Sequence, residues 1–305
     1  MGLGQELFEW LSPILKEFGE AYREFLPGEF FPSYFLYEYF HRPLIASIIV
    51  AIVAGFLGTF LLIRNLALIG DGLAHVSFGA IAIGLVFGGI GPLLYALVFC
   101  TVAAVLIDEL QARGILEGDA AIAIFMTGML GLGLVIMRIW GGTASAIVDG
   151  YLYGDLLLVD PKSFDIIVTI CVVGYLSMLF LYHSLLSISI DPIAAKVQGL
   201  PVRAIRLYFS IITAAIVVSM VQIVGALLVT ALIVAPAATA QLIGKSFRSC
   251  VILSQIIGVI TVIIGLYFSA EYDTGSGSMI ALVAASIFAL ILIIKTMKNI
   301  IVKPN

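Results

Sequence analysis

The chain has 305 residues, 62% hydrophobic and 11% charged, with a mean hydropathy of +1.19 and a formal net charge of −4. No soluble domain needs that much apolar surface, so the composition points to an all-α polytopic membrane protein with no nucleic-acid partner. The apolar runs are continuous and about 20 residues long, without the alternation of a β-barrel.

Residues 1–42 read as an acidic amphipathic segment without a cleavable signal pattern. Up to His41 it sets seven Glu against Lys16 and Arg23 and is rich in Phe and Tyr. The stretch Leu7 to Phe18 has the pattern of a short helix lying in a membrane interface. Pro27, Pro32 and Pro43 punctuate the approach to the first span.

Nine spans follow, at roughly 43–63, 66–88, 90–109, 117–138, 163–185, 207–224, 226–243, 250–269 and 278–297. The tract 207–243 is too long for one helix and is interrupted by Gly225 and Pro236. It resolves either as a tight hairpin near Gly225 or as a full span followed by a broken half-helix, and eight spans is the alternative count. Beyond residue 42, Arg64, Arg113, Lys196, Arg203, Arg206, Lys245, Arg248, Lys295, Lys298 and Lys303 fall on one side, and only Arg138 and Lys162 on the other. The positive-inside rule places the larger group in the cytoplasm, with the N-terminal segment outside and the tail 298–305 inside. Nine spans satisfy that parity. Gly79, Gly84 and Gly88 on the second span, and Gly128, Gly131 and Gly133 on the fourth, permit close helix approach. Cys100, Cys171 and Cys250 read as small core residues.

The chemistry starts at Asp71 and His75, four residues apart and so on one helix face, inside an otherwise apolar span. Ionisable groups at membrane depth are costly and usually mark a pathway. One carboxylate and one imidazole make half a shell for a divalent metal; the plainer alternative is a polar pair joining two helices. Span four opens with Glu117 and Asp119, which also suit a helix N-terminus. Asp71 and Asp119 are expected at comparable depth, about 8–10 Å from their helix starts, with Asp119 approaching the pair across the bundle. His41 and His183 fall at span ends as interfacial anchors. The external connection 140–161 reads as a re-entrant piece whose Asp149, Asp155 and Asp160 attract cations to an outer mouth, or as a packed loop.

In the internal loop 187–206, Asp191 and Pro192 open a short helix that Gly199 stops, and Leu200-Pro201 turns the chain back to the membrane. Such a helix, held between two spans with Ala195 at its middle, is a docking element. Gly244-Lys-Ser246 resembles the end of a phosphate loop, but Thr239 stands where the leading glycine belongs. The chain is therefore read as a non-enzyme without a nucleotide site, any ATP being hydrolysed by a separate subunit.

Five segments in order resemble the permease subunit of the metal-ion ABC importer family for zinc, manganese and iron: Gly70 to Ser77, Tyr151 to Leu157, Asp191 to Val202, Val224 to Ala240 and Phe268 to Thr274. The resemblance covers about residues 43–297, and its wording is closest to the zinc branch. It implies a type II importer-like permease in a prokaryotic cell membrane, working by alternating access as a homodimer. Its implied partners are an ATP-binding cassette ATPase and an extracytoplasmic metal-binding protein. It places the transported ion, with no permanently bound cofactor, at Asp71, His75 and Asp119, Glu117 being the neighbouring acid. It makes Asp191–Val202 the coupling helix. A self-contained secondary transporter or channel would need paired helix breaks or a filter sequence, and an intramembrane metalloprotease would show His-Glu-x-x-His; neither pattern is present.

Overall fold

Long apolar runs must satisfy their backbone polar groups internally, and here they do so as helices. The computed structural model describes residues 2–302 except 24, 26, 90, 143–149, 152–159 and 227–228, with side chains described to residue 298. Among the described residues there are thirteen helices and no strand. The N-terminal segment forms α1 (Leu3–Ala21) and the one-turn α2 (Ser33–Leu36). The bundle follows as α3 (Glu38–Ile63), α4 (Ile69–Phe87), α5 (Pro92–Ala112), α6 (Gly118–Trp140) and α7 (Pro161–Phe180). Two short helices, α8 (Tyr182–Ile190) and α9 (Pro192–Val197), precede α10 (Val202–Val224), α11 (Val229–Ile243), α12 (Phe247–Tyr272) and α13 (Ser276–Val302).

Eight helices are long and apolar enough to cross a membrane: α3 to α7, α10, α12 and α13. The ninth, α11, has 15 residues, about 22 Å at 1.5 Å per residue against a hydrocarbon core of about 30 Å. The contacts nevertheless require it to carry the chain back. Gly55 lies against Ser254 and Ala51 against Gly258, so α3 and α12 run antiparallel. The starts of α3 and α7 lie on the same face, since both touch α1. From α7 through α10, the chain reaches α12 in the required direction only if α11 returns it. The turn between them is made at Gly225, whose φ of +88° suits glycine. The turn near Gly225 is the hairpin solution for 207–243, with a full helix α10 and a short returning helix α11 that carries Pro236.

The first spanning helix starts earlier than the apolar run suggests. His41 and Pro43 lie inside α3 rather than before it. His41 is buried, with Nδ1 2.7 Å from Ser12 Oγ and Nε2 2.8 Å from the Phe35 carbonyl, so it is a packed structural residue rather than an interfacial anchor. The expected span 163–185 is likewise broken at Leu181, where α7 gives way to α8.

Most of α4 is buried. It packs in parallel against α6, Gly72 against Ile122 and Gly79 against the Met129 carbonyl. A Cβ on Gly133 would stand 2.8 Å from the Gly79 Cα, so both positions require glycine for this approach. Gly84 packs on Tyr95, whereas Gly88, Gly128 and Gly131 meet nothing within 4 Å in a single chain. Cys100 and Cys171 are buried as expected, and Cys250 is half-buried.

Candidate metal pathway and docking helix

Asp71 and His75 occupy the first two turns of α4, which packs against α5, α6, α10 and α11. His75 Nε2 lies 3.8 Å from Asp71 Oδ1, with the side chains 11% and 32% exposed. That separation exceeds a hydrogen bond and leaves room between the two groups. His75 Nδ1 is buried without a hydrogen-bond partner, although buried polar atoms are nearly always paired. The pair therefore turns His75 Nε2 and Asp71 Oδ1 toward each other, with Nδ1 left unpaired on the other side of the ring, at an intramembrane position where such groups are costly.

Asp119 does not complete this shell. Asp71 and Asp119 do lie at comparable depth, but both fall in the first turn of their helices, α4 starting at Ile69 and α6 at Gly118. Their rise is about 2–3 Å rather than 8–10 Å. Asp119 and the N-cap residue Glu117 are exposed, and among the described residues no three His, Cys, Asp or Glu side chains gather to hold a metal. A single chain thus offers two donors, short of the four a zinc ion normally takes.

At the outer connection, Asp149 and Asp155 lie outside the described residues. Asp160 is the N-cap of α7 and accepts the Ser163 N–H at 3.2 Å, with Pro161 in the first turn. His183 is exposed and stands edge-on to Tyr182.

The short helix α9 forms as the residues require. Asp191 Oδ1 accepts the N–H groups of Ile193 and Ala194 at 2.9 and 3.0 Å, and Pro192 fills the first helical position. Ala195 is buried, Gly199 adopts φ +84°, and the Leu200 N–H closes the end on the Ala195 carbonyl at 3.1 Å before Pro201 starts α10. Ile190, Ile193 and Val197 are 70%, 78% and 84% exposed.

Behind that helix is an ion network that residue patterns alone did not single out. Arg206, in the first turns of α10, donates from Nε to Asp108 Oδ2 at 2.9 Å; Asp108, near the end of α5, is only 7% exposed. Arg203 and Arg113 share Glu109 at 3.2 and 2.8 Å, and Arg64 lies over the Phe209 ring at 4.7 Å. The network joins the ends of α3 and α5 to the helix that follows α9. The signal available was an acid pair, Asp108-Glu109, facing Arg203 and Arg206 three apart; it required knowing that α5 and α10 touch.

A family model described as the ABC 3 transport family matches residues 36–295. The chain belongs to that family. The manganese transport system membrane protein MntC of Halalkalibacterium halodurans is 32% identical over 86% of this chain and 89% of its own length. The high-affinity zinc uptake system membrane protein ZnuB of Haemophilus influenzae is 28% identical over 84% of this chain and 97% of its own. Among solved structures, PsaBC from Streptococcus pneumoniae in complex with Fab is similar at a TM-score of 0.74 and 29% identity, covering 85% of this chain and 92% of that one. The matched region begins at residue 36, so α1 lies outside it.

Proposed function

We propose that this ABC 3 family chain is the membrane permease subunit of an ATP-driven importer of divalent transition-metal ions. The observation that carries the reading is the open Asp71–His75 pair at the start of a mostly buried spanning helix. A pathway site must hold an ion weakly enough to release it, and an incomplete shell does so. Two donors per chain also support a homodimer in which a second Asp71–His75 pair supplies the rest of the shell, with Asp119 and Glu117 nearer the ion's route than its resting place.

The exposed Ile190, Ile193 and Val197 around α9 support docking of a separate ATPase there. The Asp108–Arg206 pair would pass its movement to α5. The positive-inside bias puts α9 in the cytoplasm of a prokaryotic cell, with the N-terminal segment facing the extracytoplasmic metal-binding protein. Cargo identity rests on relatives: a manganese protein at 32% identity and a zinc protein at 28% over similar shares of the chain. Manganese transport proteins predominate among the similar proteins, which supports manganese ahead of the zinc that the motif wording suggests.

The test is uptake of labelled manganese and zinc, in competition, by cells expressing this chain with its ATPase and metal-binding protein. Asp71→Asn and His75→Ala should each abolish uptake while the complex still assembles. Uptake unchanged in both variants would remove the pair from the pathway, and the preferred ion in the wild type decides the cargo.

A further inference from the structure

The transport reading makes no use of α1, yet its contacts define how it lies. Gly4 donates its N–H to Asp165 Oδ1 at 2.7 Å, and Phe8 stands edge-on to Phe164 with ring centroids 6.2 Å apart. The Arg42 guanidinium covers Phe8 at 4.5 Å, and Ser12 Oγ is 2.7 Å from His41 Nδ1. This part of α1 is about 12 Å long, yet every residue it meets here lies four or five positions from the start of α3 or α7. The helix therefore runs across the end of the bundle and not along it. Further on, Gly19 abuts Phe35, and Glu271 at the end of α12 accepts the N–H groups of Glu29, Phe30 and Phe31 at 3.1, 2.9 and 2.9 Å. Two carboxylates thus clip the N-terminal segment to two spanning helices on one face.

Around its axis α1 has three arcs. Gly4, Phe8, Ser12 and Gly19 are buried on the bundle. Glu6, Glu9, Glu17 and Glu20 form an exposed acidic arc. Leu3, Trp10, Ile14 and Phe18, spaced seven, four and four apart, make an apolar stripe that is 52%, 66%, 48% and 44% exposed. The exposed Phe30, Tyr37 and Tyr39 belong to the same N-terminal segment, and aromatic rings of this kind gather where a bilayer meets water.

We propose that α1 lies flat in the headgroup layer of the bilayer, its Trp10–Ile14–Phe18 stripe in lipid and its acidic arc in water. It acts, together with residues 29–31, as a strap that holds the ends of α3, α7 and α12 at a fixed spacing. The acidic arc offers anionic lipid no attraction, so the ligand is the apolar interface itself, whatever the headgroup. The placement does not depend on the cargo or on which face is external.

The chain has two tryptophans, Trp10 and Trp140, so a Trp140→Phe variant makes Trp10 the sole reporter. In the assembled transporter in vesicles, Trp10 emission should be blue-shifted and fall by roughly half with lipids brominated high on their chains, less with lipids brominated near the chain ends. Zwitterionic and anionic vesicles should behave alike. Emission typical of water and unquenched by either lipid would overturn the proposal. So would a stripe that is shielded only when the extracytoplasmic metal-binding protein is added, which would assign it to that partner. If Trp140→Phe fails to fold, a nitroxide at Ile14→Cys serves instead, with Cys250→Ser and with Cys100 and Cys171 buried. Greater accessibility to oxygen than to a nickel chelate supports the strap, and the reverse overturns it. Metal uptake is a separate readout, so failure here leaves the transport reading standing.

Discussion

Removing the Asp108 carboxylate should destabilise the bundle more than any surface ion pair does. Asp108 is 7% exposed and holds Arg206 at 2.9 Å, while Arg64 lies over Phe209 on the same helix end. Asp108→Ala leaves guanidinium groups facing one another with no carboxylate between them. Breaking a fully buried pair costs about 3–5 kcal/mol, but the Arg206 side chain is 25% exposed, and water reduces the loss to about 2–3 kcal/mol. For a chain of this size that is a fall of about 4–8 °C in Tm. The assay is thermal unfolding of the purified transporter in nanodiscs, followed by tryptophan emission. The double variant Asp108→Leu/Arg206→Met should recover more than half of the loss, because two apolar side chains leave no stranded charge. Arg113→Ala, whose side chain is 64% exposed, should cost no more than about 0.5 kcal/mol. An Asp108→Ala variant with unchanged Tm, or a double variant no better than the single, would refute the argument that this pair is a desolvated tie between α5 and α10.

Four other outcomes follow from local geometry. Gly79→Leu drives a side chain into the Met129 carbonyl of α6 and should cost about 1–3 kcal/mol or more. Gly131→Leu, open in a single chain, should leave thermal stability unchanged; if it is the more damaging in the assembled transporter, that face is packed on another chain. Asp191→Ala removes the acceptor for two N–H groups of α9. It should cost about 1 kcal/mol locally, lowering uptake per ATP hydrolysed while the Tm of the membrane part stays within error; normal coupling would count against α9 as the docking element. Ser12→Ala strands buried His41 Nδ1 and should cost about 1–3 kcal/mol. A thermal scan in which Ser12→Ala unfolds with the wild type would show that α1 is not held through His41.

Much of the architecture was written in local chemistry. Eight helices follow from apolar length alone, and the Asp191-Pro192 and Gly199 signals set α9 within a residue because capping and positive φ are local requirements. The Asp71–His75 pairing was legible for the same reason, since a spacing of four fixes a shared face whatever surrounds it. Residue patterns misplaced what depends on neighbours. They carried Asp119 into a metal shell that the single chain does not close, because helix rotation against α4 is set by the Gly72–Ile122 contact and not by Asp119's own position. They put His41 at an interface because its burial comes from α1, which the chain folds back from some thirty residues away.

The sequence by itself determined that this chain is a helical membrane protein, roughly where its long apolar helices lie, and which helix face bears an acid and an imidazole. These are matters of composition and of interactions spanning a turn or two. Tertiary structure alone decided that Asp108 and Arg206 meet, that Asp165 clips α1 across the bundle, and that Glu271 holds residues 29–31 beside it. Each of these joins residues between 98 and 242 positions apart, or depends on such contacts, and no local preference encodes which distant backbone or charge a side chain will find.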